Sequence, residues 1–557
     1  MNIKNLYLAG FVCICLIVTA CTGTGPGSYD IIIRNGVVYD GTGKPPVVTD
    51  IGIRADTIAD VGKLDTATAA VIIDAEGLAV APGFINMLSW ANYSLLNDGR
   101  SMSNIKQGVT LEIFGEGSSM GPIPPDAAER ENTEWQTLGQ YLDHLAEKGI
   151  STNVASFVGA TTVRVHELGN ANRAPAPEEL SRMQDLVRQA MREGALGVGS
   201  SLIYPPAFFA KTDELVALAK AAAEYNGMYI SHLRSEGDNF LEAVDEFITI
   251  ATEAGIDAEI YHLKAAGEHN WHKLDIVLSR IDSLRSRGHN ISANMYTYPA
   301  ASTGIDAAVP PRAQEGGRKA FLKRLEDPET REQILEEMRR TDTGWENFLQ
   351  LAGSPDNIIL LEFRADSLQR YTGMTLAEIA GERGTPPEET ILDLLQANGG
   401  DISSVFFVMS EENIRKKIRL PYMSFGSDAR SVAAEGSVLK SSTHPRTYGT
   451  FARLLGKYVR EEGLLSLEEA IYRLTGLPAA NLKLKQRGRL ATGYKADVVV
   501  FDPSTIKDNA TYREPHQYAE GVHHVLVNGV QVLDDGEHTG EMPGEVVRGP
   551  GYVGSKQ

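Results

Sequence analysis

Four ionisable side chains stand where strand-like apolar runs end, and their types suit metal-assisted hydrolysis. The runs 109–115, 228–233, 258–263 and 422–428 are followed or closed by Glu116, His232, His262 and Asp428. Neutral imidazoles and a carboxylate bind Zn²⁺ and leave one position open for water, whose pKa the ion lowers. A carboxylate that does not bind the ion can carry a proton to a leaving nitrogen. The set therefore predicts a metallohydrolase site.

Each of these residues also has a simpler interpretation. A single histidine at a strand end is commonly a hydrogen-bonded core residue. Glu116 stands in a glycine-rich segment that a plain turn would explain, and Asp428 is a residue type that caps helices. The four side chains together favour a site, because they end strands of the same predicted sheet and active sites of parallel barrels lie at the carboxyl ends of the strands.

The elements that would position these side chains alternate between strand and helix. Apolar runs of strand length occupy residues 83–89, 109–115, 153–159, 196–203, 228–233, 258–263, 291–298 and 422–428. Helical patterns separate most of them, for example 177–193, where apolar residues recur near a 3.6-residue spacing. Eight strands alternating with helices predict an α/β fold, a TIM-like (β/α)₈ barrel.

The spacing predicts further segments around the barrel. Strand-rich runs at both chain ends indicate one small β-sandwich built from residues 29–80 and 481–557, which leaves 81–480 for the barrel. Asn35-Gly36 and Asn528-Gly529 each predict a hairpin. The long gap before the eighth run predicts an insertion at about 304–420 that roofs the site. Strand-like segments inside it, 357–363 and 405–409, leave the strand numbering open.

Composition narrows the class of function. The formal net charge of −20 argues against nucleic-acid binding, because the surface repels phosphates. All three cysteines lie in the first 21 residues, so the remaining chain offers a metal no thiolate.

The first residues predict export. Lys4 precedes an apolar run too short to span a bilayer comfortably, and the run ends in Val18-Thr19-Ala20-Cys21, which resembles the lipobox of bacterial lipoproteins. That resemblance implies a signal peptide over residues 1–20, a lipid on Cys21 and a flexible tether over 21–28. An ordinary signal peptide or an uncleaved anchor is the alternative. The expected location is the cell envelope, at the outer membrane facing the periplasm where the host has two membranes.

Longer phrases resemble a known family. They are Ala81-Pro-Gly-Phe-Ile85, Ser231-His-Leu-Arg-Ser-Glu236, His262-Leu-Lys264, Tyr296-Thr-Tyr298, Ser302-Thr303, Ser427-Asp428, His444-Pro-Arg446 and Gly536-Glu-His-Thr-Gly540. Together they resemble the amidohydrolase superfamily and, within it, the N-acyl-D-amino-acid deacylases (D-aminoacylases), over nearly the whole mature chain.

The resemblance implies roles for single residues. His232 and His262 would bind a tightly held zinc, and Asp428 would be the general acid/base. The substrate would be held by Lys264, Tyr296, Ser302 and Arg446. Arg446 and Lys264 would both suit the substrate's α-carboxylate. An Arg fork grips a carboxylate through two hydrogen bonds, although for Arg446 a surface arginine is the simpler interpretation. A rival role for Lys264 is a carbamylated, metal-bridging lysine.

The sequence departs from the family at two places. The first strand of such enzymes ends in two metal-binding histidines with one residue between them, and here those positions hold Leu88 and Trp90. A zinc-binding cysteine of the second strand is replaced by Glu116. Glutamate keeps an anionic ligand, so the sequence predicts one Zn²⁺ bound by Glu116, His232 and His262. Trp90 is interpreted as shaping a pocket for an apolar acyl chain, or as filling space.

Three functions follow from these observations. The first is metal-dependent hydrolysis of N-acyl-D-amino acids. The expected partners are then a small-molecule substrate and the membrane, which the protein would contact through its lipid anchor. The second is a D-residue dipeptidase on the same scaffold, which needs an acceptor for the substrate's ammonium group. The third is a lipoprotein that binds acylated amino acids or peptides without cleaving them, suggested by the missing histidines.

Overall fold

The structure is a computed structural model that describes residues 28–124, 133–341 and 344–554. The predicted signal peptide, the lipidation site Cys21 and nearly all of the tether lie outside the described residues, so these assignments stay predictions. Within the described ranges, no helix has the length and apolar character needed to cross a bilayer.

Eight parallel strands form the predicted barrel. In chain order they are Phe84–Asn86, Val109–Phe114, Asn153–Ser156 with Val158–Gly159, Gly197–Ser201, Met228–His232, Asp257–Ile260, Ile291–Met295 and Met423–Phe425. These strands are buried almost throughout, as expected for parallel strands covered on both faces. The first and last strands meet where the Met87 N–H donates to the Phe425 carbonyl oxygen at 3.1 Å, which closes the barrel. The (β/α)₈ fold is confirmed.

Helices follow the barrel strands along the chain. They are Ala91–Asn97, Met102–Ile105, Leu138–Lys148, Ala160–Leu168, Pro177–Arg192, Thr212–Ala223, Phe240–Ala254, Lys273–Ser286, Glu411–Ile418, Arg446–Arg453, Leu467–Leu474 and Gly476–Asn481, with a π-helix over Leu454–Glu461. In Pro177–Arg192, a proline opens the first turn, and Met183, Val187 and Met191 are buried at i, i+4 and i+8. The helix predicted over 177–193 therefore forms within one residue of its expected end.

Strands from both chain ends share one nine-stranded sheet. They are Ser28–Val38, Val47–Arg54, Thr57–Gly62, Thr68–Asp74, Ala79–Pro82, Val498–Phe501, Val522–Val527, Val530–Asp534 and Glu537–His538. Asn528-Gly529 forms the expected hairpin, with both residues at positive φ. The hairpin predicted at Asn35-Gly36 is wrong, because the first strand continues through a register shift between Ile33 and Gly36. A hairpin turn and a bulge both need a residue at positive φ, and Asn35 has a φ of 61°.

The segment between barrel strands 7 and 8 has its own small sheet. Its antiparallel strands are Ala301–Gly304, Ile358–Leu360 and Ser403–Phe406. Its helices are Arg318–Leu325, Pro328–Met338, Phe348–Ala352, Leu376–Arg383 and Pro387–Asn398. The two segments that left the strand numbering open therefore belong to this sheet and not to the barrel. An apolar cluster that includes Phe348, Leu360 and Phe406 packs the insertion together.

Short 3₁₀ helices complete the chain. They are Ala207–Phe209, Glu268–Asn270, Ile305–Ala308, Pro311–Gln314, Pro355–Asn357, Asp366–Tyr371 and Gly436–Lys440.

Candidate metal centre

Glu116, His232 and His262 converge at the carboxyl ends of barrel strands 2, 5 and 6. Glu116 Oε1 lies 2.9 Å from His232 Nδ1 and 2.9 Å from His262 Nε2. One nitrogen or oxygen of each residue lies within 4.8 Å of the other two, and all three residues are buried. Two imidazoles and a carboxylate are donors that a divalent ion such as Zn²⁺ accepts. The donor set therefore fits a metal.

The local backbone explains how these side chains are aimed. Gly115 and Gly117, at φ 105° and 69°, flank Glu116, and a Cβ at either position would lie 2.3–2.4 Å from a neighbouring strand or loop. Glycine is therefore required on both sides of the carboxylate. His262 itself has φ 32°, and its N–H donates to Asn294 Oδ1 at 2.8 Å. A strained backbone held by a buried partner is typical of functional positions.

Glu236 lies behind both histidines and was not assigned a role from the sequence. Its Oε1 lies 3.1 Å from His262 Nδ1, and its Oε2 lies 3.5 Å from His232 Nε2, on the ring side away from Glu116. Lys264 Nζ donates to both Glu236 oxygens at 2.7 and 2.8 Å. Burial raises the pKa of Glu236, but Lys264 and the histidines outweigh burial and hold that pKa below its usual value. Glu236 is therefore placed to orient both imidazoles. Its only sequence signal is its position four residues after His232, inside the family phrase.

We expect Glu236→Gln to weaken metal binding by roughly 10–100-fold, because a carboxylate behind the histidines fixes the ring orientation and raises the basicity of the ligands. Competition with a chromophoric chelator measures the affinity. Glu246→Gln is the matched control, since Glu246 pairs with Arg234 at 2.7 Å near the same strand but does not contact the histidines. Equal affinities for the wild type and Glu236→Gln would contradict this role.

Asp428 lies at the end of barrel strand 8 in the same cavity as the three candidate ligands. Its Oδ2 is 2.7 Å from Arg446 Nη1, and its N–H donates to the Leu88 carbonyl oxygen at 2.8 Å. Burial raises the pKa of Asp428 and nearby Glu116 adds to this effect; Arg446 opposes it, and the net pKa is above the usual value. The residues that follow are not helical, so the helix-cap interpretation of Asp428 is wrong.

The four residues expected to hold substrate all line this cavity. Arg446 is only 5% exposed, so its interpretation as a surface arginine is wrong. Its guanidinium lies 4.5 Å from the centre of the Tyr296 ring, and its Nη2 donates to the Ser302 carbonyl oxygen at 3.3 Å. Lys264 is engaged differently, since Nζ contacts Glu236 and lies 2.7 Å from His262 Nδ1. These contacts place the Lys264 ammonium group beside Glu236 and His262, where it supports the histidine cluster.

Leu88 and Trp90 occupy different environments at the end of barrel strand 1. Leu88 is fully buried in an apolar cluster inside the barrel, where it fills space as interpreted. Trp90 Nε1 lies 3.0 Å from Glu116 Oε2 and 3.0 Å from Asp428 Oδ1. Trp90 lines the cavity and also directs its N–H toward two carboxylates, so it does more than fill space. That it shapes a pocket for an acyl chain stays a prediction.

The cavity above these residues has a volume of about 1260 Å³. The insertion contributes Phe348, Leu361 and Phe363 to its lining, so this segment does cover part of the site. Arg100 contacts Asp98 and Glu435 at the rim and joins the segments after barrel strands 1 and 8. A site of this size accommodates a substrate larger than a free amino acid.

The barrel, the sheet formed by both chain ends and the histidine–carboxylate cluster define a metal-dependent amidohydrolase. Residues 423–533 match a family model described as amidohydrolase family. A D-aminoacylase from Alcaligenes xylosoxydans xylosoxydans is 31% identical over 528 residues, which cover 93% of this chain and 97% of that protein. The chain belongs to the D-aminoacylase family.

Solved structures agree with this assignment. An N-acyl-D-glutamate deacylase from Bordetella bronchiseptica, complexed with zinc and a phosphonate inhibitor that mimics the tetrahedral intermediate, is 30% identical with a TM-score of 0.78. The match covers 94% of this chain and 100% of that one. A D-aminoacylase with a binuclear metal centre, described by one-metal activation and second-metal attenuation, is 30% identical with a TM-score of 0.77, covering 93% and 100%. A divalent metal is therefore expected in this site.

Proposed function

We propose that this protein hydrolyses the amide bond of N-acyl-D-amino acids with one zinc ion held by Glu116, His232 and His262. The observation that carries the proposal is the placement of three buried ligand atoms in the same cavity as Asp428 and Arg446. The relatives that act on N-acyl-D-amino acids support the choice of substrate and of its D configuration.

The chemistry divides between the ion and the side chains around it. When bound, a divalent ion polarises an amide carbonyl and lowers the pKa of a water. Asp428 takes the proton of the attacking water as the new C–O bond forms. It then gives that proton to the nitrogen as the C–N bond breaks, which releases a carboxylic acid and a D-amino acid. The raised pKa of the buried Asp428 makes its carboxylate a stronger base for the uptake of this proton.

Arg446 is the side chain that best suits the substrate's α-carboxylate. It is nearly buried and stacked against Tyr296, and it faces Asp428 through Nη1 at 2.7 Å. Its buried Nε has no hydrogen-bond partner among the described residues, so the guanidinium keeps a donor for a further carboxylate oxygen. A planar guanidinium holds a carboxylate through two parallel hydrogen bonds, so it fixes orientation as well as position. Ser302 and Tyr296 hold the arginine in this direction.

The cavity favours an acylated substrate over a free dipeptide. A dipeptidase needs a carboxylate for the substrate's ammonium group, and Asp98, Glu362 and Glu435 are the carboxylates of the cavity rim. Asp98 and Glu435 contact Arg100, and Glu362 lies 3.6 Å from Arg430. Since an arginine already faces each of these three carboxylates, they do not supply a free ammonium site.

The test is release of free amine from matched N-acyl-D-amino acids, N-acyl-L-amino acids and D-dipeptides by the zinc-loaded protein. We expect turnover of the N-acyl-D substrates alone. Faster turnover of D-dipeptides would favour the dipeptidase. No turnover of any substrate by a protein with full zinc content would overturn hydrolysis and favour the non-catalytic binding protein.

A further inference from the structure

The indole N–H of Trp90 lies between the carboxylates of Glu116 and Asp428. This place is the barrel seam, where strand 1 meets strand 8 and closes the barrel. Glu116 directs Oε1 to the histidines and Oε2 to Trp90, while Asp428 directs Oδ1 to Trp90 and Oδ2 to Arg446. One donor thus serves two acceptors at 3.0 Å each. The carboxylates belong to barrel strands 2 and 8, and Trp90 follows strand 1, which separates these strands.

Two buried carboxylates that face one position normally share a cation or a proton, because like charges in a poorly solvated site repel each other. An indole offers one N–H and no acceptor, so it compensates both oxygens without binding a metal. The Trp90 N–H therefore donates to Glu116 Oε2 and Asp428 Oδ1 at the place where a second cation would otherwise bridge these two oxygens.

Among the described residues, the candidate metal group of Glu116, His232 and His262 does not include Asp428. Leu88 is fully buried in the apolar interior of the barrel and has no ligand atom on its side chain. The other oxygen of Asp428, Oδ2, lies 2.7 Å from Arg446 Nη1. The permanent positive charge of this guanidinium would also repel a metal. The first strand thus contributes a hydrogen-bond donor to the centre and no metal ligand.

We propose that the Trp90 indole N–H takes the place of a second metal ion, holding Glu116 and Asp428 in their working orientation and restricting the centre to a single ion. Trp90 is a positioning residue in this arrangement, and the inference rests on the proposed metal-dependent function. Its consequence is that excess metal neither adds a second ion nor bridges the proton carrier Asp428 to the ligand Glu116.

The first test is the metal content of the wild-type holoenzyme. After equilibration with excess zinc and removal of unbound metal, elemental analysis is expected to give one ion per chain. Titration with cadmium, followed by equilibrium dialysis, is expected to saturate at the same value. Two tightly bound ions per chain would overturn the proposal. Neither measurement requires turnover of any substrate.

The second test follows the indole itself. The chain contains four tryptophans, so ¹⁵N-tryptophan labelling gives few indole signals, and Trp90→Phe identifies the signal of Trp90. We expect that signal to shift as the first equivalent of zinc binds to the apoprotein and to stay unchanged with further zinc. The proposal would be overturned if the Trp90 signal does not shift with the first equivalent of zinc, or if it shifts again with a second equivalent.

The third test is the catalytic cost of the N–H. Phenylalanine keeps an aromatic wall but cannot donate, so Trp90→Phe is expected to lower kcat roughly 10–100-fold with little change in KM, as for a lost hydrogen bond to a charged group. Trp271→Phe is the control, since Trp271 Nε1 donates to the Val408 carbonyl oxygen outside the cavity at 3.0 Å. An unchanged kcat in Trp90→Phe would count against the positioning role. If the protein cleaves no N-acyl-D-amino acid, the function fails, while the metal content and the indole signal still test the single-ion centre.

Discussion

Glu116→Gln is expected to lose both the metal and the activity. The substitution keeps the size of the side chain but removes the negative charge that faces both histidines, so Oε1 no longer provides the anionic ligand. We expect kcat/KM to fall by more than about a thousandfold, because polarisation of the carbonyl and activation of water depend on the ion. Elemental analysis of the purified variant and amine release measure the two effects.

Two further variants make this experiment specific. Glu116→Cys restores an anionic ligand of the kind that the family resemblance implies at this position, and it is expected to retain zinc. Glu362→Gln removes another carboxylate of the same cavity, one that is 3.6 Å from Arg430, and it is expected to keep wild-type metal content. A Glu116→Gln protein with full metal content would show that Glu116 is not a ligand.

Asp428→Asn is expected to retain the metal and to lower kcat by about 10³–10⁴-fold, near the upper range for loss of a proton carrier. The amide has the shape of the carboxyl group, but it neither takes a proton from water nor returns one to the leaving nitrogen. Because the pKa of Asp428 is raised, wild-type activity should rise with pH through a value above the usual carboxyl range, as this residue loses its proton and becomes a base. The pH dependence of kcat/KM and the metal content are the measurements.

The control for this variant breaks a similar ion pair elsewhere. Asp508 lies 3.2 Å from Arg453 and accepts a hydrogen bond from the Tyr298 hydroxyl group at 2.9 Å, outside the cavity lining. Asp508→Asn should therefore leave kcat within a few-fold of the wild type. If Asp428→Asn also stays within tenfold of the wild type while retaining its metal, another group must carry the proton.

The sequence was sufficient to predict the barrel and the side chains at its carboxyl ends. The period and length of apolar runs reveal buried parallel strands, and the polar residue that ends each run must lie at the common edge. This reasoning located Glu116, His232, His262 and Asp428. It also left two strand-like segments of the insertion ambiguous, because a short apolar run does not reveal whether its partners are parallel or antiparallel.

Contacts behind and between these side chains could not be predicted in the same way. Glu236 lies four residues after His232 but also contacts His262 on the next strand, and no spacing rule reports that second contact. The direction of the Trp90 ring depends on contacts with Glu116 and Asp428, which follow strands 2 and 8 and are distant in sequence. Asn35-Gly36 failed for a related reason, since a turn and a bulge place the same demand on φ.

The barrel seam has a consequence for how the protein acquires activity during synthesis. The candidate metal ligands span 146 residues, from Glu116 to His262, whereas the contact between Trp90 and Asp428 joins residues 338 apart. All three ligands therefore leave the ribosome well before the residue proposed to carry the proton. Truncation between residues 262 and 428 would remove the proton carrier and keep every ligand. We therefore expect hydrolysis only from a chain that is translated beyond its last barrel strand, Met423–Phe425, to Asp428.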